Sequence, residues 1–293
     1  MDILSDIKHT FKEGSVLTRQ IYVNIGVFLV ISIIGVVGFL AGHSNSLADW
    51  LSVPSSFSEI LARPWTLLTY MFLHTGFIHL LFNILGLYWF GKLFLYRLEG
   101  NKLLSVYLLG GLSGAVFYVI SYNIFPVFDS VNGLLLGASA SVFAILVAIA
   151  FYDPNNEIHL SFIGTFQLKY IALFYVLLSV VGISATNPGG NIAHLGGAAW
   201  GWFYIFQLRR GKDMGAGFIK ILNGIADSIA GIFKPKNNLK VTFKQAPKDD
   251  YEYNRLKNRE QEEINRILEK IGKAGYDSLS KDEKELLFRQ GKK

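Results

Sequence analysis

GLLLGASASVFAILVAIAF, residues 133 to 151, is the stretch from which the chain is read. Ser139 stands in it between Gly137, Ala138 and Ala140, at the head of an apolar run of the length that crosses a membrane. Hydrocarbon penalises a hydroxyl without a partner, so a serine at that place needs a reason. The reading adopted is that Ser139 is a nucleophile, and that the rest of the chain buries, orients and deprotonates it.

Composition sets the surroundings. Of 293 residues, 51% are hydrophobic and 17% charged, and the mean hydropathy is +0.35, outside the range of ordinary soluble domains. The expected class is an integral membrane protein. With no cysteine in the chain, disulfides, thiolate metal sites and a cysteine nucleophile are excluded, which leaves covalent chemistry to Ser, Thr, Lys or a carboxylate. The net charge of +6 comes from basic residues beside apolar runs and in the tail. That placement suits anionic lipid and the positive-inside rule, and no nucleic-acid partner is expected.

Read in order, residues 1–20 carry Ile3, Leu4, Ile7 and Phe11 at helical spacing, interleaved with Lys8 and Lys12. They suggest an amphipathic helix on the membrane surface, a frayed tail being the other reading. The first apolar run shows no clear cleavage site after it and is read as an uncleaved span. Spans are expected at Ile21 to Ala41, Leu67 to Phe94, Leu103 to Phe125, Leu134 to Tyr152, Tyr170 to Ala185 and Ile192 to Leu208. This is an all-α, six-helix core over residues 21–210. Lys8, Lys12, Arg19, Lys92, Arg97, Lys102, Lys169, Arg209, Arg210 and Lys212 fall on one side and only Arg63 on the other. Both termini are therefore expected in the cytoplasm, of a bacterial inner or plasma membrane, with loops 42–66, 126–133 and 186–191 outside. Trp50, Phe57, Ile60 and Trp65 assign the first loop to the interface. Residues 211–293 form a cytoplasmic tail with a basic segment at 234–240 and a helical hairpin at 252–290. In the hairpin, Ile264, Ile267, Leu268 and Ile271 repeat at helical spacing, Gly275 turns the chain, and Ser280 with Glu283 forms a capping box. Its thin apolar stripe suggests an unidentified cytoplasmic partner.

Polar residues within the spans narrow the function. His79 and Asn83 in the second span, Ser139 in the fourth and His194 in the sixth all fall in the outer part of spans that enter from outside. At about 1.5 Å of rise per residue they share one shallow depth, and ionisable groups inside a membrane default to function. A serine becomes a good nucleophile when an imidazole takes its proton, which nominates His194 as base. Asn83 and His79, one turn apart, and the Ser139 N–H are candidate donors to the oxyanion, worth about 3–4 kcal/mol each in a dry site. No carboxylate occupies a matching position, so a Ser-His dyad is expected. Ala193, Gly197 and Gly201 form a small-residue stripe on the sixth span, and Ser141, Ala144 and Ala148 another on the fourth. Their packing would bring Ser139 to His194. Gly137 is assigned to the turn before the fourth helix.

In these residues the sequence resembles the rhomboid intramembrane serine proteases. HTGFIHLLFN, residues 74–83, looks like the family's HxxxxHxxxN and carries over His74, His79 and Asn83, the last two as oxyanion residues. GASA resembles GxSx, with Ser139 as nucleophile, and AHLGGAAWG fits AHxxGxxxG, with His194 as base and Gly197 and Gly201 at close packing. Three places depart from the family pattern: Ala140 where glycine is commonest, Thr66 after Trp65 where arginine follows, and Leu95 where a glutamate is frequent. The resemblance implies hydrolysis of a peptide bond in or near the transmembrane helix of single-span substrates, approached from the lipid bilayer, without metal or cofactor. An inactive client-binding relative and a proton-coupled transporter built on His79 and His194 are the rival readings.

Overall fold

A run of 25 residues, Val16–Leu40, has a mean hydropathy of 2.6 and forms one helix, α2. Ser15 caps it through Thr18 N–H, at 3.1 Å. Before it, Ile3–Glu13 (α1) is helical as its spacing predicts. The computed structural model describes residues 3–42, 46–160, 164–185, 187–233 and 250–290. They divide into two compact units, Met1–Ile232 and Phe233–Lys293.

In the first unit, the segment after α2 folds into short pieces: α3 (Ser46–Leu51), β1 (Val53–Pro54), α4 (Phe57–Ala62) and α5 (Thr66–Thr69). The Trp50 and Trp65 rings meet at 41° with centroids 4.5 Å apart. Trp65 Nε1 donates to Trp50 O at 3.3 Å, and Thr69 Oγ1 donates to Leu51 O at 2.6 Å. Thr66, where the related pattern has arginine, is fully buried and donates to Arg63 O at 2.7 Å. A 3-10 turn at Tyr70–Phe72 leads into α6 (Phe77–Arg97), α7 (Gly100–Ile124), β2 (Leu134–Leu135), α8 (Ser139–Tyr152), α9 (Leu168–Gly182), α10 (Pro188–Leu208) and α11 (Ala216–Phe233).

Three of these, α2, α6 and α7, are long and apolar enough to cross a membrane by length and composition, and α8 and α9 are shorter apolar helices. Exposed Val30, Ile33, Val36, Phe39, Phe82, Phe174 and Val181 face outward along these apolar helices, a surface that suits lipid. The chain is an integral membrane protein.

The expected helix limits need several corrections. The second expected span is broken, because the chain turns at residues 70–76 and α6 begins only at Phe77; His74 therefore precedes the helix. Residues 134–138 precede the helix rather than belong to it: Leu134 and Leu135 pair with Pro54 and Val53 across an antiparallel ladder, and Gly137 turns the chain at a φ of +124°. A second ladder, β3 (Glu157–Leu160) with β4 (Gly164–Gln167), lies between the fourth and fifth expected spans, so the fold is helical with two short antiparallel strand pairs. Helix α11 was not anticipated from sequence.

α8 is the centre of the bundle, with Ala140, Ser141, Val142, Ala144, Ile145, Leu146, Ala148, Ile149 and Ala150 all buried. α10 lies along it with no side chain between: a methyl added at Gly197 or Gly201 would overlap the carbonyl oxygens of Ala140 and Ala144. What α10 meets on α8 is therefore the backbone of Ala140, Ala144 and Ala148, the Ala140 and Ala144 methyls turning to Gly114 and Gly110 of α7; Ser141 faces α7 as well, its hydroxyl against Gly111, and takes no part in the contact expected of it. At the far end, Arg97 pairs with Asp153 at 2.7 Å and Arg209 donates to Phe151 O at 2.7 Å, tying α6, α8 and α10 together.

In the second unit, α12 (Asp250–Ala274) and α13 (Lys281–Gln290) are joined across Gly275, whose φ is +79°. Both halves of the capping box form: Glu283 N–H donates to Ser280 Oγ at 3.2 Å, and Ser280 N–H to Glu283 Oε2 at 2.7 Å. The Lys270 ammonium, 2.9 Å away, and then Ser280 N–H hold the Glu283 carboxyl below the usual carboxylate range. Ile267 and Leu279 are buried, whereas Leu268 is exposed and leaves the expected stripe. The basic segment 234–240 lies outside the described residues.

Gly201→Val would force two backbones apart against a packed core, a cost of about 3 kcal/mol. Thermal unfolding in detergent should show a midpoint well below that of the parent, whereas Gly217→Val, at a glycine with nothing within 4 Å, should not.

Candidate active site

Gly137 makes the local geometry. Its φ of +124° is a conformation that residues with a Cβ rarely adopt, and its N–H donates to Tyr70 O at 2.9 Å. The chain thereby turns from β2 into α8 so that Ser139 is the first helical residue. There the backbone N–H groups have no carbonyl one turn back, and the helix dipole presents its positive end. A Cβ at Gly137 would come within 3.0 Å of the His79 ring and 3.8 Å of Ser139 Oγ, so this glycine lets His79 close over the serine.

His194 enters from α10. Asn187 caps that helix by accepting from Gly190 N–H at 3.0 Å, with Pro188 in the first turn, so that α10 starts early enough to put His194 in its second turn. His194 Nε2 lies 2.8 Å from Ser139 Oγ. The Phe143 ring, one turn after Ser139, stacks on the imidazole at 4.2 Å and 10°. On the other side, His194 Nδ1 lies 3.2 Å from Ser179 Oγ of α9.

From α6, Asn83 is buried and its Nδ2 donates to His79 O at 2.9 Å. His74, also buried, stands edge-on to His79 with centroids 5.0 Å apart. The structure thus brings Ser139, His194, His79 and Gly137 together, with Asn83 one turn along α6 and His74 behind His79. Gly197 and Gly201 are the close-packing residues beneath. Two residues in contact with the imidazole, Phe143 and Ser179, escaped the sequence reading. Each is an ordinary apolar-span residue by type, and only the fold puts them against His194. Among the described residues, no group of three His, Cys, Asp or Glu is placed to hold a metal ion.

Chemically, a hydroxyl 2.8 Å from a ring nitrogen, at a helix N-terminus and beside a second imidazole, is set to lose its proton to that nitrogen and to have an adjacent anion met by N–H donors.

A family model described as Rhomboid domain matches residues 61–211. A second, described as a family of unknown function (DUF6576), matches residues 249–293. The chain is 30% identical over 161 residues to RHOMBOID-like protein 12, mitochondrial, of Arabidopsis thaliana, covering 51% of this chain and 48% of that one. RHOMBOID-like protein 7 of the same plant is 27% identical over 147 residues, 49% of this chain and 42% of the relative. Rhomboid protease GluP of Bacillus subtilis (strain 168) is 30% identical over 139 residues, 47% of this chain and 25% of that protein. The matches span less than half the length of each of these relatives.

Gly137→Ala would strain a positive φ and push His79 from the serine, and displacements of this size cost on the order of 10²-fold in rate. Labelling of Ser139 by a fluorophosphonate, followed by gel fluorescence, should slow by about that factor.

Proposed function

The chain belongs to the rhomboid family, and from that premise we propose that it is a serine endopeptidase cutting peptide bonds in or near the transmembrane segments of single-span membrane proteins. The contact that carries this reading is the 2.8 Å hydrogen bond between Ser139 and His194, two residues from different helices.

In the proposed reaction, Ser139 Oγ attacks the scissile carbonyl carbon while its proton passes to His194 Nε2. The negative charge on the carbonyl oxygen is met by N–H groups of the first turn of α8 and by side-chain donors of His79 and Asn83. His194 returns the proton to the departing amine as the C–N bond breaks, leaving an ester on Ser139. Water, deprotonated by the same nitrogen, then hydrolyses the ester and restores both side chains. For Asn83 to serve, its amide must exchange its present bond to His79 O for one to the substrate. No step needs metal or cofactor.

The proposed topology has a surface segment at residues 1–20, a six-span core at 21–210 formed by α2 and α6 to α10, and a tail at 211–293, with both termini cytoplasmic in a bacterial inner membrane. Helix lengths support a recessed site. α8 has 14 residues, about 21 Å at 1.5 Å each, against a hydrocarbon thickness of about 30 Å. With its Asp153 end at the cytoplasmic interface, Ser139 would lie roughly 9 Å inside the opposite boundary. The non-helical backbone at 134–138 would be tolerated there because β1 pairs with Leu134 and Leu135 and the Tyr70 carbonyl accepts from Gly137 N–H. Substrates would be reached from the bilayer, small residues at the cut suiting a serine hemmed in by Gly137, Ala138 and Ala140. The tail would bind a separate cytoplasmic partner.

The purified full chain in lipid vesicles should cleave a single-span model substrate, and Ser139→Ala and His194→Ala should each lower the rate by about 10⁴-fold or more. Cleavage that survives both substitutions would contradict the reading, and solute flux that survives Ser139→Ala would favour a transporter.

A further inference from the structure

His194 has two ring nitrogens, and the reaction above uses one. To take the proton from Ser139, Nε2 must carry a lone pair, so the resting imidazole is protonated at Nδ1. A buried N–H without an acceptor is costly. Ser179 Oγ lies 3.2 Å from that nitrogen. Its own hydroxyl proton has another destination, Tyr175 O one turn earlier in α9, at 3.1 Å. With that proton committed, the remaining lone pairs of Ser179 face Nδ1. The result is a chain of donors with one direction: Ser139 to His194, His194 to Ser179, Ser179 to the Tyr175 carbonyl.

Phe143 does not supply this order. A ring stacked at 10° fixes the plane of the imidazole, yet a 180° turn about χ2 preserves that plane and exchanges a nitrogen for a carbon on each edge. Stacking therefore leaves two orientations, of which only one presents Nε2 to Ser139. The Ser179 bond distinguishes them. Placement on α9 points the same way: Leu168, Ala172 and Ser179 are its buried residues, while Leu173, Phe174, Leu177, Leu178, Val180 and Val181 face outward. Packing alone would be served by alanine or valine at 179.

Resting on the reading of Ser139 and His194 as nucleophile and base, we propose that Ser179 is a positioning residue. It holds His194 in the productive ring orientation and Nδ1-protonated tautomer, and supports the imidazolium formed during attack, the place a carboxylate holds in a Ser-His-Asp triad. A neutral hydroxyl suits this surrounding, where a carboxylate would be an unpaired buried charge until His194 became protonated.

Three variants of the full chain test the proposal: Ser179→Ala, Ser179→Val and Ser179→Thr, with Val and Thr alike in size and differing in the hydroxyl. Kinetics on the model substrate, the rate constant for fluorophosphonate labelling of Ser139, and thermal midpoint would be measured for each. Loss of one neutral hydrogen bond predicts that Ala and Val lower kcat and the labelling rate by about tenfold, with KM and midpoint within error of the parent. Thr should recover most of both rates. Equal rates for Val and Thr, whether both near the parent or both lowered together with the midpoint, would overturn the proposal and leave Ser179 a packing residue. A parent protein that neither cleaves nor labels would overturn the protease reading and this inference with it, an outcome distinct from an active parent with equally active variants.

Discussion

The approach of α10 to α8 is the constraint on which the other features depend. Gly197 and Gly201 present bare backbone to the carbonyls of Ala140 and Ala144, and any side chain there would open the gap. Within a membrane, helices gain little from burying apolar surface against one another, because lipid is as apolar as leucine; they gain from close van der Waals contact, which small residues permit. Here that contact also sets a distance. His194 lies one turn before Gly197, and Ser139 immediately before Ala140, so backbone contact at the glycine pair leaves the 2.8 Å at which a hydroxyl meets an imidazole. Ala140, in place of the commoner glycine, fits because its methyl turns toward Gly114 of α7.

Around that contact, polar groups collect where helices begin. Ser139 starts α8, His79 is in the first turn of α6 and His194 in the second of α10. Helix beginnings offer free N–H groups and a positive dipole, useful to a transient anion and unfavourable to a buried cation. They also require non-helical backbone just before each helix. That requirement is met by protein: β1 pairs with β2, Ser55 Oγ accepts from Gly133 N–H at 3.2 Å, and Asn123 Nδ2 donates to Ser55 O at 2.7 Å. The first loop thus closes over the approach to α8 and supplies hydrogen-bond partners that lipid lacks.

Much of this was legible in the sequence, and what was not has physical reasons. Long apolar runs without competing signals, α2 and α7, have nearly the limits their composition gives. Ser139 and His194 stand out in the sequence because hydrocarbon penalises them, and the capping box at Ser280 because its chemistry is local. Hydropathy alone could not place the start of α8: residues 134–138 are as apolar as the helix they precede, and the pairing of Leu134 and Leu135 with β1 and of Gly137 N–H with the Tyr70 carbonyl decides their shape, whereas before α6 the polar His74 and Thr75, with Gly76, sit at the break inside the expected span. The β3–β4 ladder falls between two expected spans, where Ile158, Leu160 and Phe166 alternate with polar residues over runs of only four, and α11 was hidden because Lys220, Asn223 and Asp227 interrupt its apolar run in a region read only as basic tail. Ser179 could not be singled out, since a lone serine in a span most often bonds its own helix backbone; Ser179 does so, and its second partner exists only through the fold.

The proposed chemistry rests on Ser139 being a nucleophile activated by His194. The most direct test is peptide mapping by mass spectrometry after treating the full chain in lipid with a fluorophosphonate. One covalent adduct is expected, on Ser139, that is lost in His194→Ala while the fold is retained. An adduct on another residue, or an unmodified Ser139 in a folded protein, would contradict it.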